Sequence, residues 1–122
     1  MGYRSDVTIR CEEKAYEMFK GAWEKVNFKP CRIYETNENS NHTYVLQWLC
    51  VKWYYDFDDV GAIMSVCELL NKNNEEGYAY KCIEIGEDNA TDQYANEIGC
   101  EVFDDFYVVV DVNLPSDIRE IG

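Results

Sequence analysis

The chain has 122 residues, with 24 acidic side chains, 11 lysines and arginines and one histidine, which gives a net charge of −13 at neutral pH. Hydrophobic residues make up 47% of the chain and only two prolines occur, so the composition favours one globular domain over a disordered acidic tail. Because phosphates would repel this charge, binding to nucleic acid or to an anionic membrane is disfavoured, and basic partners are favoured.

The cysteines bear on the cellular compartment. Six of them are spread along the chain without any C-x-x-C pair, at Cys11, Cys31, Cys50, Cys67, Cys82 and Cys100. This spacing does not match a zinc site, and each lies in or beside an apolar run, where a reduced thiol behaves as a small buried hydrophobe. The N-terminus has no apolar signal core, and no apolar run is long enough to span a membrane. We expect a cytoplasmic protein with buried free thiols, and three disulfides in a secreted protein are the alternative.

The first predicted elements are a strand and a helix. From Asp6 to Cys11, apolar and polar residues alternate with a period of two, which is typical of a half-buried strand. Residues 12–26 change to helical spacing. The apolar stripe of this helix consists of Ala15, Met18, Phe19, Ala22, Trp23 and Val26.

Two further strands are predicted in the middle of the chain. Residues 31–36 form the second strand, and the polar residues 37–41 predict a hairpin-type loop. The third strand runs from Thr43 to Tyr55 and is apolar on both faces. A strand covered on both sides is usually central in its sheet, although a face of aromatic side chains can also be an exposed binding surface.

The second half of the chain begins with another predicted helix. Asp56, Asp58 and Asp59 indicate its N-terminus, and helical spacing continues to Leu70. Residues 78–85 alternate as a fourth strand. Residues 86–99 are polar and acidic, so we expect a loop with at most a short helical turn at residues 94–98. A last strand is centred on residues 106–112, and residues 114–122 are expected to form a short tail.

These elements follow the order β-α-β-β-α-β with an extra C-terminal strand. Two βαβ-like halves of this kind predict a single α+β domain over residues 1–122. The expected architecture is a ferredoxin-like sandwich, with two helices on one face of an antiparallel sheet.

The acidity is concentrated toward the C-terminus. Residues 1–81 hold 13 acids and 10 bases, whereas residues 82–122 hold 11 acids and one base. Carboxylates held on a loop and a strand would attract a basic partner, for instance a nucleic-acid-binding protein whose groove expects phosphates. A merely solvated charged face is the alternative. The carboxylates predicted to contact the partner are Glu87, Asp88, Asp92, Glu97, Glu101, Asp104 and Asp105.

Aromatic side chains are the second candidate set for the interface. Trp53 and Tyr55 end the predicted third strand, and large rigid side chains with a polar tip are favoured at protein interfaces. We therefore predict that both contact the partner. Ordinary core packing is the alternative for each of them.

Motifs for catalysis or metal binding are lacking in the sequence. His42, the sole histidine, lies in a polar loop with no nucleophile beside it in sequence, and no P-loop, dinucleotide-binding or G-x-S-x-G pattern occurs. Residues 86–92 lack the alternating acids and the central glycine of a calcium-binding loop. We predict a non-enzymatic protein without a metal or cofactor. A self-associating module that forms a homodimer and a small enzyme stay open as alternatives.

Two short motifs are distinctive: MGYRSDV at residues 1–7, and Gly77-Tyr78 leading into IEIGED at residues 83–88. Together they resemble a group of small acidic proteins encoded by bacteriophages and prophages. Compact acidic phage proteins include inhibitors of host defence, anti-CRISPR proteins among them, which often occupy a nucleic-acid-binding surface. The resemblance implies a phage or prophage protein that binds and inhibits a basic host protein in the host cytoplasm.

Overall fold

The computed structural model describes residues 3–37, 42–73, 75–96, 103 and 118–121. In these parts of the chain the fold is α+β, with two helices and a six-stranded antiparallel sheet. The strands are β1 (Ser5–Glu12), β2 (Arg32–Thr36), β3 (Thr43–Val51), β4 (Tyr80–Gly86), β5 (Thr91–Ala95) and β6 (Arg119–Glu120). The helices are α1 (Glu13–Val26) and α2 (Asp58–Asn71). The strands lie in the order β5-β4-β1-β3-β2-β6.

The main core lies between the two helices and one face of the sheet. Because strand side chains alternate, β1 directs Val7, Ile9 and Cys11 to this face, and all three are fully buried. Phe19 of α1 and Ile63 of α2 are also fully buried in the same cluster. Burying one large apolar side chain contributes about 1.5–3 kcal/mol, so this cluster is the main source of the stability of the fold.

The opposite face of the central strands is buried as well. Val45 of β3 and Ile83 of β4 are fully buried there, and the Arg10 guanidinium lies 5.0 Å from the centre of the buried Phe103 ring. The prediction that the third strand is internal and covered on both sides is therefore confirmed, because β3 lies between β1 and β2.

The third strand is shorter than predicted. It ends at Val51 instead of Tyr55, because Cys50 adopts a left-handed conformation with φ of 55° and the pairing with β1 shifts by one residue at this point. The Asp6 carboxylate accepts a hydrogen bond of 2.8 Å from the Cys50 N–H and so holds the irregularity in place. Such a bulge bends the strand and changes which way the following side chains face.

The prediction for residues 86–99 was wrong where these residues are described. Instead of a loop with a helical turn near residue 94, Thr91–Ala95 form β5, which pairs with β4 in a hairpin. Asn89 supplies the left-handed residue of the connecting turn, with φ of 64°, and the Asp88 carboxylate accepts a hydrogen bond of 3.1 Å from the Ala90 N–H. The element order is therefore β-α-β-β-α-β-β-β.

Several other expectations met mixed outcomes. Cys11, Cys67 and Cys82 are buried free thiols, but Cys31 and Cys50 are exposed: Cys31 directly precedes β2, and Cys50 is the left-handed residue near the end of β3. The second helix begins at Asp58, with Phe57 and not an aspartate at its N-cap. Within the expected tail, Arg119 and Glu120 pair with β2.

The strand predicted at residues 106–112 and the sixth cysteine, Cys100, lie outside the described residues. In the part of the chain that the structure describes, no helix is long and apolar enough to cross a membrane.

Candidate functional site

A cavity of about 590 Å³ lies at the β5 side of the sheet, where the chain between β3 and α2 approaches β4 and β5. This volume is within the usual range for ligand pockets. We call it the acidic aromatic cavity. It is lined by Tyr3, Ser5, Trp53, Tyr54, Tyr55, Asp56, Glu84, Gly86, Ala90, Asp92 and Tyr94. Three of these side chains are carboxylates and five are aromatic, and none is a lysine, an arginine or a histidine.

Two of the carboxylates face each other across neighbouring strands. Glu84 of β4 is directly opposite Asp92 of β5, so both side chains project from the same face of the sheet. Glu84 is only 8% exposed. Like charges in directly opposite positions destabilise a strand pair, so this part of the sheet is not arranged for stability alone.

The Glu84 carboxylate is held by tyrosine hydroxyls. The Tyr55 O–H donates to it, with distances of 3.2 Å to Oε1 and 3.0 Å to Oε2. The same hydroxyl lies 2.6 Å from the Tyr94 hydroxyl. Burial raises the pKa of both tyrosines, so both hydroxyls keep their protons and remain hydrogen-bond donors.

Trp53 contributes an unusual donor to the cavity. Its ring packs against Phe28 and Trp48, and the residue is 6% exposed. The buried indole N–H has no hydrogen-bond partner of good geometry among the described residues. It nevertheless lies near enough to Glu84 to favour the ionised carboxylate.

The protonation of Glu84 reflects these surroundings. Burial raises the pKa of its carboxyl group, and the negative charge of Asp92 raises it further, while the Tyr55 and Trp53 donors act in the opposite direction. The carboxylate is thus surrounded by hydrogen-bond donors and a second negative charge. In the part of the chain that the structure describes, no cationic side chain lines the cavity to balance this negative charge.

The N-terminal segment closes one side of the cavity because Gly86 has no side chain. A Cβ atom at this position would lie 1.6 Å from the Tyr3 hydroxyl oxygen, so only glycine lets the Tyr3 ring cross the end of β4. The Tyr3 O–H donates to the Asp88 carboxylate, and the Arg4 N–H donates to Glu87 Oε1 at 2.8 Å. The β4–β5 turn therefore fixes the N-terminal segment beside the cavity.

The structure brings together part of the predicted interface. Trp53, Tyr55 and Asp92 all line the acidic aromatic cavity. Glu87 and Asp88 are exposed on the adjoining turn, outside the cavity, where they bind the N-terminal segment. The other predicted carboxylates lie outside the described residues, namely Glu97, Glu101, Asp104 and Asp105.

The two aromatic predictions have different outcomes. Tyr55 is 51% exposed, so part of its ring is accessible to a partner. Trp53 is buried in the core, as the alternative interpretation expected, and it also lines the cavity.

Sequence reasoning did not assign Glu84 or Tyr94 to the site. The alternation of residues 78–85 carries information about Glu84, because a period of two places it on the same face as the buried Tyr80 and Cys82. A carboxylate in a core-facing position is unusual and indicates a special role. Tyr94 could not be found in the same way because the strand that contains it was not predicted.

His42 lies far from this cavity in the sheet. Its Nε2 is 3.3 Å from Glu35 Oε2, and its ring packs against Tyr44 at a centroid distance of 4.9 Å. Among the residues that the structure describes, no group of three histidine, cysteine or acidic side chains could hold a metal ion.

Comparisons of this chain with protein-family models, with curated proteins and with solved structures found no match.

Proposed function

We propose that this protein is a non-enzymatic binding protein that docks on a basic host protein through the acidic aromatic cavity and the adjoining β4–β5 turn, and thereby inhibits it. One observation carries the proposal. The buried Glu84 is directly opposite Asp92 in the sheet, and among the described residues no lysine, arginine or histidine lines the cavity to balance them. A positively charged partner would supply the missing charge.

The energetics of the cavity support this interpretation. A buried carboxylate and a like-charge neighbour each lower the stability of the free protein. Departures from stable packing of this kind are expected at functional sites, where a ligand offsets their cost.

The charges around the cavity would also guide the partner toward it. Asp56 and Asp92 line the exposed part of the cavity, and Glu87 and Asp88 lie on the neighbouring turn. Carboxylates on one surface attract a basic protein at long range and raise its association rate, an effect that salt reduces.

On the resemblance of residues 1–7, 77–78 and 83–88, we propose that the protein is a phage or prophage inhibitor of host defence, such as an anti-CRISPR protein. The favoured partner is a nucleic-acid-binding effector, because its surface is selected to receive negative charge. The carboxylates at the cavity would then take the place of phosphates.

We also propose that the fold is a ferredoxin-like sandwich with additional edge strands. The inner strands lie in the order β4-β1-β3-β2, and each helix connects two strands that are separated by one other strand. Both helices share one core cluster with a single face of the sheet. These features support the proposal, and β5 and β6 extend the sheet at its two sides.

Charge reversal at the cavity tests the proposed function. The test variant is D56K/D92K, which reverses two exposed carboxylates that line the cavity. The matched control is E17K/E24K, which makes the same change of charge on the exposed surface of α1. The wild-type protein, immobilised, should retain a basic protein from host extract, and association of the purified pair should slow as salt is raised.

We expect D56K/D92K to lose at least tenfold in affinity for the purified partner, and E17K/E24K to bind as the wild type does. Equal binding by the two double variants would contradict the assignment of the cavity as the binding site. Binding that is insensitive to salt would contradict the electrostatic mechanism.

A further inference from the structure

We propose that the acidic aromatic cavity is a binding site for the guanidinium group of a single arginine side chain, which the partner inserts beside Glu84 and Asp92. This inference rests on the proposed function and specifies the group that the site recognises.

The lining of the cavity favours an organic cation over a metal ion. Among the described residues, the carboxylates do not gather into a group of three that could hold a metal. Five aromatic side chains instead surround the carboxylates. Aromatic ring faces attract organic cations through the ring quadrupole, and a nearby carboxylate adds a charge partner. The combination therefore suits a cation with a flat or apolar body.

A guanidinium fits this lining better than the ammonium of lysine. It is planar, so it can stack on an aromatic ring while its N–H groups bind carboxylates in a bidentate manner. Glu84 and Asp92 are direct cross-strand neighbours and thus present acceptor oxygens side by side. A guanidinium is also more weakly hydrated than an ammonium, so less hydration is lost when it approaches a carboxylate that is 8% exposed.

The donors already present in the cavity agree with a cationic ligand. The Tyr55 O–H donates to the Glu84 carboxylate, and Trp53, which lines the cavity, has a buried N–H without a partner of good geometry among the described residues. Both donors favour an ionised Glu84. A guanidinium carries positive charge and donates hydrogen bonds without accepting them, so it too requires the ionised form. Ligand and protein donors would therefore stabilise the same charge state of Glu84.

The inference can be tested with small probes in place of the partner. The probe is N-acetyl-arginine methylamide, titrated into ¹⁵N-labelled protein while the indole N–H signal of Trp53 is followed by NMR. Comparison with a Trp53→Phe variant identifies this signal. The citrulline analogue has almost the same shape without the charge, and the lysine analogue carries a charge of different geometry.

We expect the arginine probe to shift the Trp53 signal with saturation, the citrulline analogue to have no effect, and the lysine analogue to bind at least threefold more weakly. An absent shift with arginine, or an equal shift with citrulline, would overturn the inference. Equal binding of the lysine analogue would overturn the preference for guanidinium.

Variants of the carboxylates connect this binding to named residues. Glu84→Gln should weaken the arginine probe at least tenfold, whereas the control Glu24→Gln, on the exposed surface of α1, should leave its affinity unchanged. Unaltered Trp23 and Trp48 indole signals will verify that Glu84→Gln is folded. If that variant does not fold, Asp92→Asn serves the same purpose. Unchanged affinity in the folded carboxylate variant would overturn the inference.

This test separates the two proposals. Suppose that the arginine probe does not bind, but that D56K/D92K still loses the basic partner. This result would overturn the arginine site and leave the proposed function standing. Suppose instead that the arginine probe binds, but that D56K/D92K binds the partner as the wild type does. This result would uphold the arginine site and contradict the proposed function.

Discussion

Two glutamates on the same sheet have opposite electrostatic surroundings. Glu35 of β2 forms an ion pair with Arg119 and lies 3.3 Å from the His42 ring, and its side chain is 20% exposed. Glu84 of β4 is more buried, at 8% exposed, yet its cross-strand neighbour is Asp92, and none of the described residues that line its cavity is cationic.

This contrast agrees with the proposal that a ligand supplies the positive charge at Glu84, whereas Glu35 has a cationic partner within the chain. Burying a charge without a partner is costly, so the more buried acid would be expected to have the stronger counter-ion. The opposite arrangement sets the Glu84 side of the sheet apart from the Glu35 side. Three substitutions test this contrast, from the largest expected effect to the smallest.

Asp92→Arg should make the Glu84 side resemble the Glu35 side. The new guanidinium would lie directly across the strand pair from Glu84 and compete with the ligand for that carboxylate. We expect the affinity for the arginine probe to fall more than tenfold, which corresponds to about 1.4 kcal/mol or more, while the melting temperature rises. Isothermal titration and thermal unfolding would measure the two effects.

Asp92→Asn is the control for that substitution, since it removes the negative charge without adding a positive one. It should weaken the probe less than Asp92→Arg does. If Asp92→Arg binds the probe as tightly as the wild type does, the guanidinium does not bind at Glu84.

Glu84→Gln should stabilise the free protein at neutral pH by about 1 kcal/mol, the usual gain when an unfavourable functional feature is removed. The pKa of Glu84 is raised in the folded state, mainly by burial and also by Asp92, so its favourable contribution is complete below the ordinary glutamate pKa and is lost as pH rises through the folded value. The advantage of the glutamine variant should therefore be present at pH 7 and disappear below about pH 4.

Chemical denaturation of both proteins across this pH range would measure the difference. Glu68→Gln, on exposed helix surface, should show no such pH-dependent gain. A glutamine variant that is less stable than the wild type at pH 7 would contradict the view that the ionised Glu84 is uncompensated. Burial raises the pKa of Tyr55 and Tyr94, so both hydroxyls keep their protons across this pH range in either protein.

Arg119→Gln should have the smallest effect. It removes the ion pair with Glu35, but the Arg119 side chain is 75% exposed and solvent screens the interaction. We expect a loss of less than about 1 kcal/mol in the free energy of unfolding, and no change in affinity for the arginine probe. A larger loss would mean that β6 holds the sheet through more than this pair.

Local patterns predicted most of the central elements correctly. The apolar stripe of α1 and the alternation of β1 identified both elements to within a residue, because each pattern records a buried face along a regular element. The predicted third strand was too long for a local reason as well. Nothing in the run of aromatic residues indicates that Cys50 adopts a left-handed conformation.

β5 could not be recognised from its composition. Thr91–Ala95 are polar or small except for Tyr94, and three of the five residues are exposed. An edge strand of this kind forms through pairing with β4, which is a long-range property that periodicity does not record. The site could not be predicted for the same reason, because Glu84 and Asp92 lie opposite each other only when the two strands are paired.

By itself, the sequence determined the class of the fold, the concentration of acid in the last third of the chain and the candidacy of Trp53, Tyr55 and Asp92, because these depend on local spacing and composition. Only the tertiary structure decided that these three residues meet Glu84 and Tyr94 around one cavity, whose described lining includes no cationic side chain. That decision depends on strand register, which joins residues distant along the chain, so an acidic segment became a defined pocket only when β4 and β5 paired.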